Sequence, residues 1–321
     1  MIVDCHVHAV AAIPGHGITS RRLRRRPSVF LLRLALGISL FGDDAKLEQE
    51  MESKLARTIA EAPELDAAVV LAFDAVYTDD GRLDEANTHL YVANDYAAAL
   101  CKKYRKMLFG ASIHPYRKDA VAELERCIAA GAVLVKWLPL VQKFNPADER
   151  CLPFYEALAH HRIPLLSHTG GEISLPILTK HYRDPELLVP ALQRGVTVIA
   201  AHCGTRAHLF EKDYLHSFIR LAREYEHLYG DTSSLCVPTR SYALRPLLDD
   251  PFVRQKLVHG SDWPIVSIPP ARIGMWKSLR MVATEHNWIR RDILAKRALG
   301  FDDAYFHRVE TLLRKARVSP V

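Results

Sequence analysis

Two histidines stand two residues apart in the opening run Ile2-Val3-Asp4-Cys5-His6-Val7-His8. The run is β-branched and alternating, which fits a strand. Residues i and i+2 of a strand project from one face, so His6 and His8 are expected side by side. Two neutral imidazoles on one face can grip a single metal ion. Alone, they are equally well two ordinary histidines, so partners further along must decide. Candidate partners recur at one kind of place. Short apolar runs end in Asp74, His114, Lys136, His168, His202, Asp231 and Asp262. Histidines and an aspartate converging at strand ends would make a nitrogen and oxygen site for a borderline divalent metal.

The elements that must position these residues alternate along the chain. After the first strand, strands are expected at 67–74, 107–115, 132–139, 163–170, 196–204, 227–234 and 256–264. Helical pattern is expected at 44–61, 84–104, 119–130, 149–161, 185–194, 212–226, 242–254 and 290–299. The strand interiors are almost wholly apolar, as in a parallel sheet covered on both sides. Eight such units without a reversal of strand order predict an α/β fold, a (β/α)8 TIM barrel, with residues 1–321 as a single domain. Its chemistry would sit at the C-terminal ends of the strands. No G-x-G-x-x-G follows a strand, so a dinucleotide fold has no support.

One connection is unusual. The insertion 9–44 holds an arginine run at 21–26 and an apolar stretch at 28–42. It leaves the strand that carries His6 and His8, so it must emerge on the catalytic face. It is expected to form a lid over the barrel mouth or a subunit interface in a homo-oligomer; a membrane-surface anchor is a third reading.

The 321 residues are 49% hydrophobic and 25% charged, an ordinary globular composition. The net charge of +6 is concentrated in the one arginine run, too local for a nucleic-acid surface, so no nucleic-acid partner is expected. Six dispersed cysteines without a C-x-x-C pair indicate free thiols and a cytoplasmic enzyme. No cleavable leader is expected before Asp4. The stretch 28–42 is too short for a transmembrane segment and carries Arg33.

The segments DCHVH, VKWLP, LLSHTGGE, IAAHCG and HGSDWP, in that order, resemble the amidohydrolase superfamily, and within it the amidohydrolase-related branch. That branch contains metal-dependent hydrolases and nonoxidative decarboxylases. The resemblance implies one divalent metal per chain, zinc, held by His6, His8, His168 and Asp262, with His202 adjacent. It implies a metal-dependent hydrolase in which a metal-activated water attacks the carbonyl carbon of a small amide, ester or lactone. The alternative is a metal-dependent nonoxidative decarboxylase of an unsaturated or aromatic acid. The insertion 9–44 has no fixed counterpart in that branch, so the substrate does not carry over.

Within this frame Asp262 suits a ligand that also accepts a proton from water. His202 could bind a second metal, polarise a carbonyl or donate a proton. Lys136 would be carboxylated and bridge two metals, or unmodified and face an anion. Glu172, after two glycines, is a candidate substrate contact. Asp231 is a candidate partner that orients a ligand histidine. Cys203 is expected to point away from the site, and His259 toward the helix layer.

Overall fold

The computed structural model describes residues 1–317. Among the described residues ten strands form: β1 (Val3–His8), β2 (Gly17–Thr19), β3 (Ala67–Leu71), β4 (Leu90–Val92), β5 (Met107–Ala111), β6 (Leu134–Trp137), β7 (Leu165–His168), β8 (Val198–Ala201), β9 (Leu228–Asp231) and β10 (Leu257–Val258). Eight of them make one parallel sheet in the order β1-β3-β5-β6-β7-β8-β9-β10. Backbone bonds join its two ends. Cys5 N–H donates to His259 O at 3.1 Å, Asp262 N–H to His6 O at 2.8 Å, and His8 N–H to Trp263 O at 2.8 Å. The ring is the expected TIM barrel. The short strands β2 and β4 pair antiparallel outside it.

Among the described residues the helices are α1 (Arg21–Arg24), α2 (Pro27–Leu36), α3 (Asp44–Ala60), α4 (Asn94–Lys103), α5 (Ala120–Ala129), α6 (Pro139–Gln142) and α7 (Leu152–His160). They continue with α8 (Val189–Gln193), α9 (Leu215–Glu224), α10 (Leu244–Leu248), α11 (Pro251–Arg254), α12 (Met275–Thr284), α13 (Trp288–Ala298) and α14 (Asp303–Arg317). The start of α3 shows how local the causes are. Asp43 caps it by accepting from Lys46 N–H at 2.9 Å, and Leu47, Met51, Leu55 and Ile59 bury one stripe against the sheet.

Three expectations need correction. The span 84–104 is not one helix: turns occupy 84–89, β4 follows, and only Asn94–Lys103 is helical. Residues 90–92 are taken by pairing with β2, which the local pattern does not contain. The strand expected to run to 204 ends at Ala201; His202–Gly204 is a tight turn with left-handed backbone at all three residues. Outside the insertion, three helices, α6, α12 and α14, lie beyond the expected set.

The inside of the barrel is filled by alternate strand residues, among them Val3, Cys5, Leu134, Leu166, Ile199 and Val258. Val309, Leu312 and Leu313 of α14 join that cluster. Arg308 of the same helix donates to Leu257 O, and the Met1 ammonium pairs with Glu310. α14 therefore closes the N-terminal end of the barrel, opposite the strand ends that carry the polar residues.

Candidate metal centre

The pleat places half of the site without further help. On β6, Leu134 faces inward, and Lys136, two residues on, does the same. Leu166 is followed in the same way by His168. The remaining residues need irregular backbone. Val3 and Cys5 face the interior, so a regular strand would turn His6 and His8 outward. A register shift between Asp4 and Val7, where β1 pairs with β3, reverses the phase; Val7 joins the outer core. Ala201 faces inward too, and the left-handed conformation at His202 (φ 60°) returns the next side chain to the site. Asp262 is likewise left-handed, φ 68°. Such positions are costly for residues with a Cβ and collect at functional sites. Gly260 supplies room, since a Cβ there would lie 2.9 Å from that of His6.

Three side-chain atoms form a close triangle. His6 Nε2 and His8 Nε2 are 3.2 Å apart; Asp262 Oδ1 is 3.4 Å from the first and 3.3 Å from the second. Donors about 2.0–2.1 Å from a tetrahedral zinc ion lie about 3.3 Å from each other, so this donor set fits a divalent metal without rearrangement. His6, His202 and Asp262 also have ligand atoms within 4.8 Å of one another.

The outer nitrogens of His6, His202 and His168 are spoken for. His6 Nδ1–H donates to Asp231 Oδ2 at 2.7 Å. His202 Nδ1–H donates to Ser233 O at 3.0 Å. His168 Nε2–H donates to Gly171 O at 3.1 Å. Each bond fixes a neutral tautomer and leaves one bare nitrogen: Nε2 of His6, Nε2 of His202, Nδ1 of His168. Burial lowers the affinity of all three imidazoles for a proton, His202 to about 3. His168 stands against His202, ring centroids 4.8 Å apart. The close triangle thus contains three of the four expected ligands, and His202 groups with His6 and Asp262.

Carboxylates tie the site together. Asp231 accepts from His6, from His202 N–H at 2.8 Å and from the Ser233 hydroxyl. Buried Asp4 accepts from His6 N–H at 3.0 Å and Ser261 N–H at 2.9 Å, joining β1 to the segment that carries Asp262. Asp262 Oδ1 sits among the imidazoles, and Ser234 donates to its other oxygen. Lys136 is fully buried below the cluster, and its Nζ has no hydrogen-bond partner among the described residues. Burial pushes the ammonium down to about 8, against the pull of Asp231 and Asp262.

Glu172 lines the same cavity and accepts from Leu175 N–H at 3.0 Å. Cys203 is buried and donates to Asp231 O, and His259 packs on Tyr305 and Phe306 in the helix layer. His114 lies outside the cluster, its ring bonded to Gln142 O. Sequence reasoning missed Arg240. Its guanidinium is buried and donates to Thr205 O and Gly171 O, fixing the turns after β8 and β7. It lies in a loop with no signature. Sequence reasoning missed Ser233 and Ser234 too, although they stand two and three residues after Asp231.

The triangle lies on the floor of a cavity of about 150 Å³. The opposite wall comes from the insertion: Leu23 of α1, then Val29, Leu32, Arg33 and Leu36 of α2. Its two arginines are engaged, Arg24 with Asp44 at 2.6 Å and Arg33 with Ser39 O.

Residues 3–296 match the amidohydrolase family model. The chain belongs to the amidohydrolase family. Solved structures share its fold at low identity. An uncharacterized TIM-barrel protein of Bordetella bronchiseptica is 18% identical, with 98% of this chain and 99% of that one covered and a TM-score of 0.67. The IDCase of Metarhizium anisopliae in apo form is 14% identical over 99% and 97%, TM-score 0.57. A probable 2-pyrone-4,6-dicarboxylic acid hydrolase of Acinetobacter baumannii, with citric acid bound, is 15% identical over 97% and 95%, TM-score 0.55. No curated protein matches the sequence. The family assignment makes this amidohydrolase an enzyme of that superfamily.

Proposed function

We propose that this amidohydrolase is a metal-dependent hydrolase of a small ester, lactone or amide whose apolar part lies against α2. The observation that carries the reading is the triangle of His6 Nε2, His8 Nε2 and Asp262 Oδ1 on the floor of an apolar cavity. A bound divalent metal, zinc in our reading, supplies Lewis acidity and lowers the pKa of water toward about 7. His6, His8 and Asp262 would hold it, and His168 Nδ1, which is not one of the three triangle atoms, would supply a fourth donor. Asp262 accepts the proton of the attacking water and passes it to the leaving group, while Ser234 fixes the carboxylate plane. The bare Nε2 of neutral His202 accepts a hydrogen bond from that water and aims it. Of the roles open to His202, proton donation and carbonyl polarisation drop out, because a neutral imidazole whose only N–H is committed to Ser233 O has none to give. α1 and α2 act as a lid that keeps bulk water from the reacting carbonyl.

Decarboxylation on the same donors is the second reading. It draws on the IDCase likeness, a decarboxylase of the same fold. The lining favours hydrolysis, since Arg24 and Arg33 are already engaged and the wall is otherwise mostly apolar. The zinc-loaded protein should be given aryl esters, lactones, anilides and aromatic acids, with products read by mass spectrometry and carbon dioxide collected. Turnover of a lactone or ester is expected. Carbon dioxide from an aromatic acid, without any ester, lactone or amide cleavage, would replace the hydrolase reading.

A further inference from the structure

Helix α2 is apolar on two opposite sides. At about 100° per residue, Val29, Leu32, Arg33 and Leu36 form one stripe, and this stripe walls the cavity. Phe30, Leu31 and Leu34 form the opposite stripe. Their side chains are 45%, 61% and 59% exposed, and Phe41, just beyond the helix, is 84% exposed. Soluble surfaces scatter single apolar residues; four large ones on one short segment mark a binding surface.

The charge around this face is mostly positive. Arg21, Arg22 and Arg25 are exposed and make no ion pair among the described residues, and no acid lies in the first turn of α1 or α2. Arg21, Arg25, Phe30, Phe41 and Lys46 border a single groove of about 860 Å³. Its two acids are engaged: Asp43 caps α3, and Glu50 accepts from Ser39 N–H at 2.7 Å. Apolar side chains flanked by unpaired arginines complement a bilayer surface with anionic headgroups. A second copy of this chain fits less well. A two-fold contact would set the patch against itself and bring the arginines together.

We infer that α1, α2 and Phe41 dock this protein on an anionic lipid surface, so that the helix walling the cavity is also the helix that touches the bilayer. The inference does not depend on the reaction class, because vesicle binding is read without turnover. The full chain is mixed with sucrose-loaded vesicles of phosphatidylcholine alone, or of phosphatidylcholine with phosphatidylglycerol, and sedimented. Binding is expected only with phosphatidylglycerol and should weaken as salt is raised. R21Q/R22Q/R25Q should lower the partition coefficient about fivefold for each arginine. L31S/L34S should lower it about tenfold or more, with far-UV circular dichroism unchanged. A wild-type protein that stays in the supernatant with both vesicles overturns the inference. So does binding that neither variant weakens. A wild-type dimer that L31S/L34S converts to a monomer, with no vesicle binding, would assign the face to self-association instead.

Discussion

Asp262 uses its two oxygens differently, one among the imidazoles and one held by Ser234. Asp262→Asn keeps an oxygen for the cluster but cannot accept a proton at neutral pH. Turnover should fall about 100- to 10,000-fold with the thermal midpoint near wild type. Near-normal turnover would take proton transfer away from Asp262. Asp231 supplies none of the three triangle atoms, yet it fixes the tautomer of His6 and the backbone of His202. Asp231→Asn should weaken zinc binding about 10- to 100-fold in a chelator competition. An unchanged dissociation constant would reduce Asp231 to a packing residue. Metal analysis of the wild type should give about one zinc per chain, as expected for one donor cluster closed at about four ligands. A ratio near two would point to a bridging, carboxylated Lys136.

The elements divide the work between the two ends of the barrel. α14 seals the bottom with Val309, Leu312 and Leu313. Leu312→Ala leaves a cavity against the strand starts and should cost about 2–5 kcal/mol, read as a lower urea midpoint. The top is walled by the insertion. Replacing 21–42 with a short glycine-containing link should leave zinc content unchanged and alter KM or kcat for the substrate that the wild type turns over. Wild-type kinetics in that variant would remove the lid role. The arginine run and the apolar stretch are plain in the sequence. Their arrangement around a helix with one stripe on the cavity and another on solvent is visible only in the fold.

The whole molecule buries several imidazoles in neutral form, and this sets its response to acid. His114 is pinned: Nε2–H donates to Gln142 O, and Nδ1 accepts from Tyr116 N–H. Burial lowers its pKa to about 3, with Arg117 and Arg150 acting in the same direction. His259, beside Lys296, is lowered as well. The unfolded chain binds these protons near pH 6.5, whereas the folded chain resists them. The contribution of His114 is therefore fully present above about pH 6.5 and is lost as pH falls toward about 3, at about 1.4 kcal/mol per pH unit, and His259 acts in the same direction. The urea midpoint should be clearly lower at about pH 5 than at about pH 7, and His114→Gln should flatten the dependence. Equal midpoints for the wild type at both values would contradict neutral burial.

Local alternation made much of this molecule legible. An apolar run of period two, ending in a polar residue, states which side chain shares a face with which, so Lys136 and His168 follow from Leu134 and Leu166. Eight such runs with helical pattern between them determined the barrel and the end at which its chemistry lies. The spacing of His6 and His8 determined that they are neighbours. Only the tertiary structure decided that they face inward, because the register shift that turns them belongs to the pairing of β1 with β3. It also decided the position of His202, whose left-handed turn rests on contacts with Asp231 and Ser233 from the next strand. Arg240 reaches carbonyls 35 and 69 residues away, and no local pattern encodes such a distance. The apolar spacing of Tyr305, Val309 and Leu312 is helical, but what that helix covers is fixed by the open end of the barrel. Pleat and period are properties of neighbouring residues; phase, tautomer and lid position depend on contacts that exist only once the ring has closed.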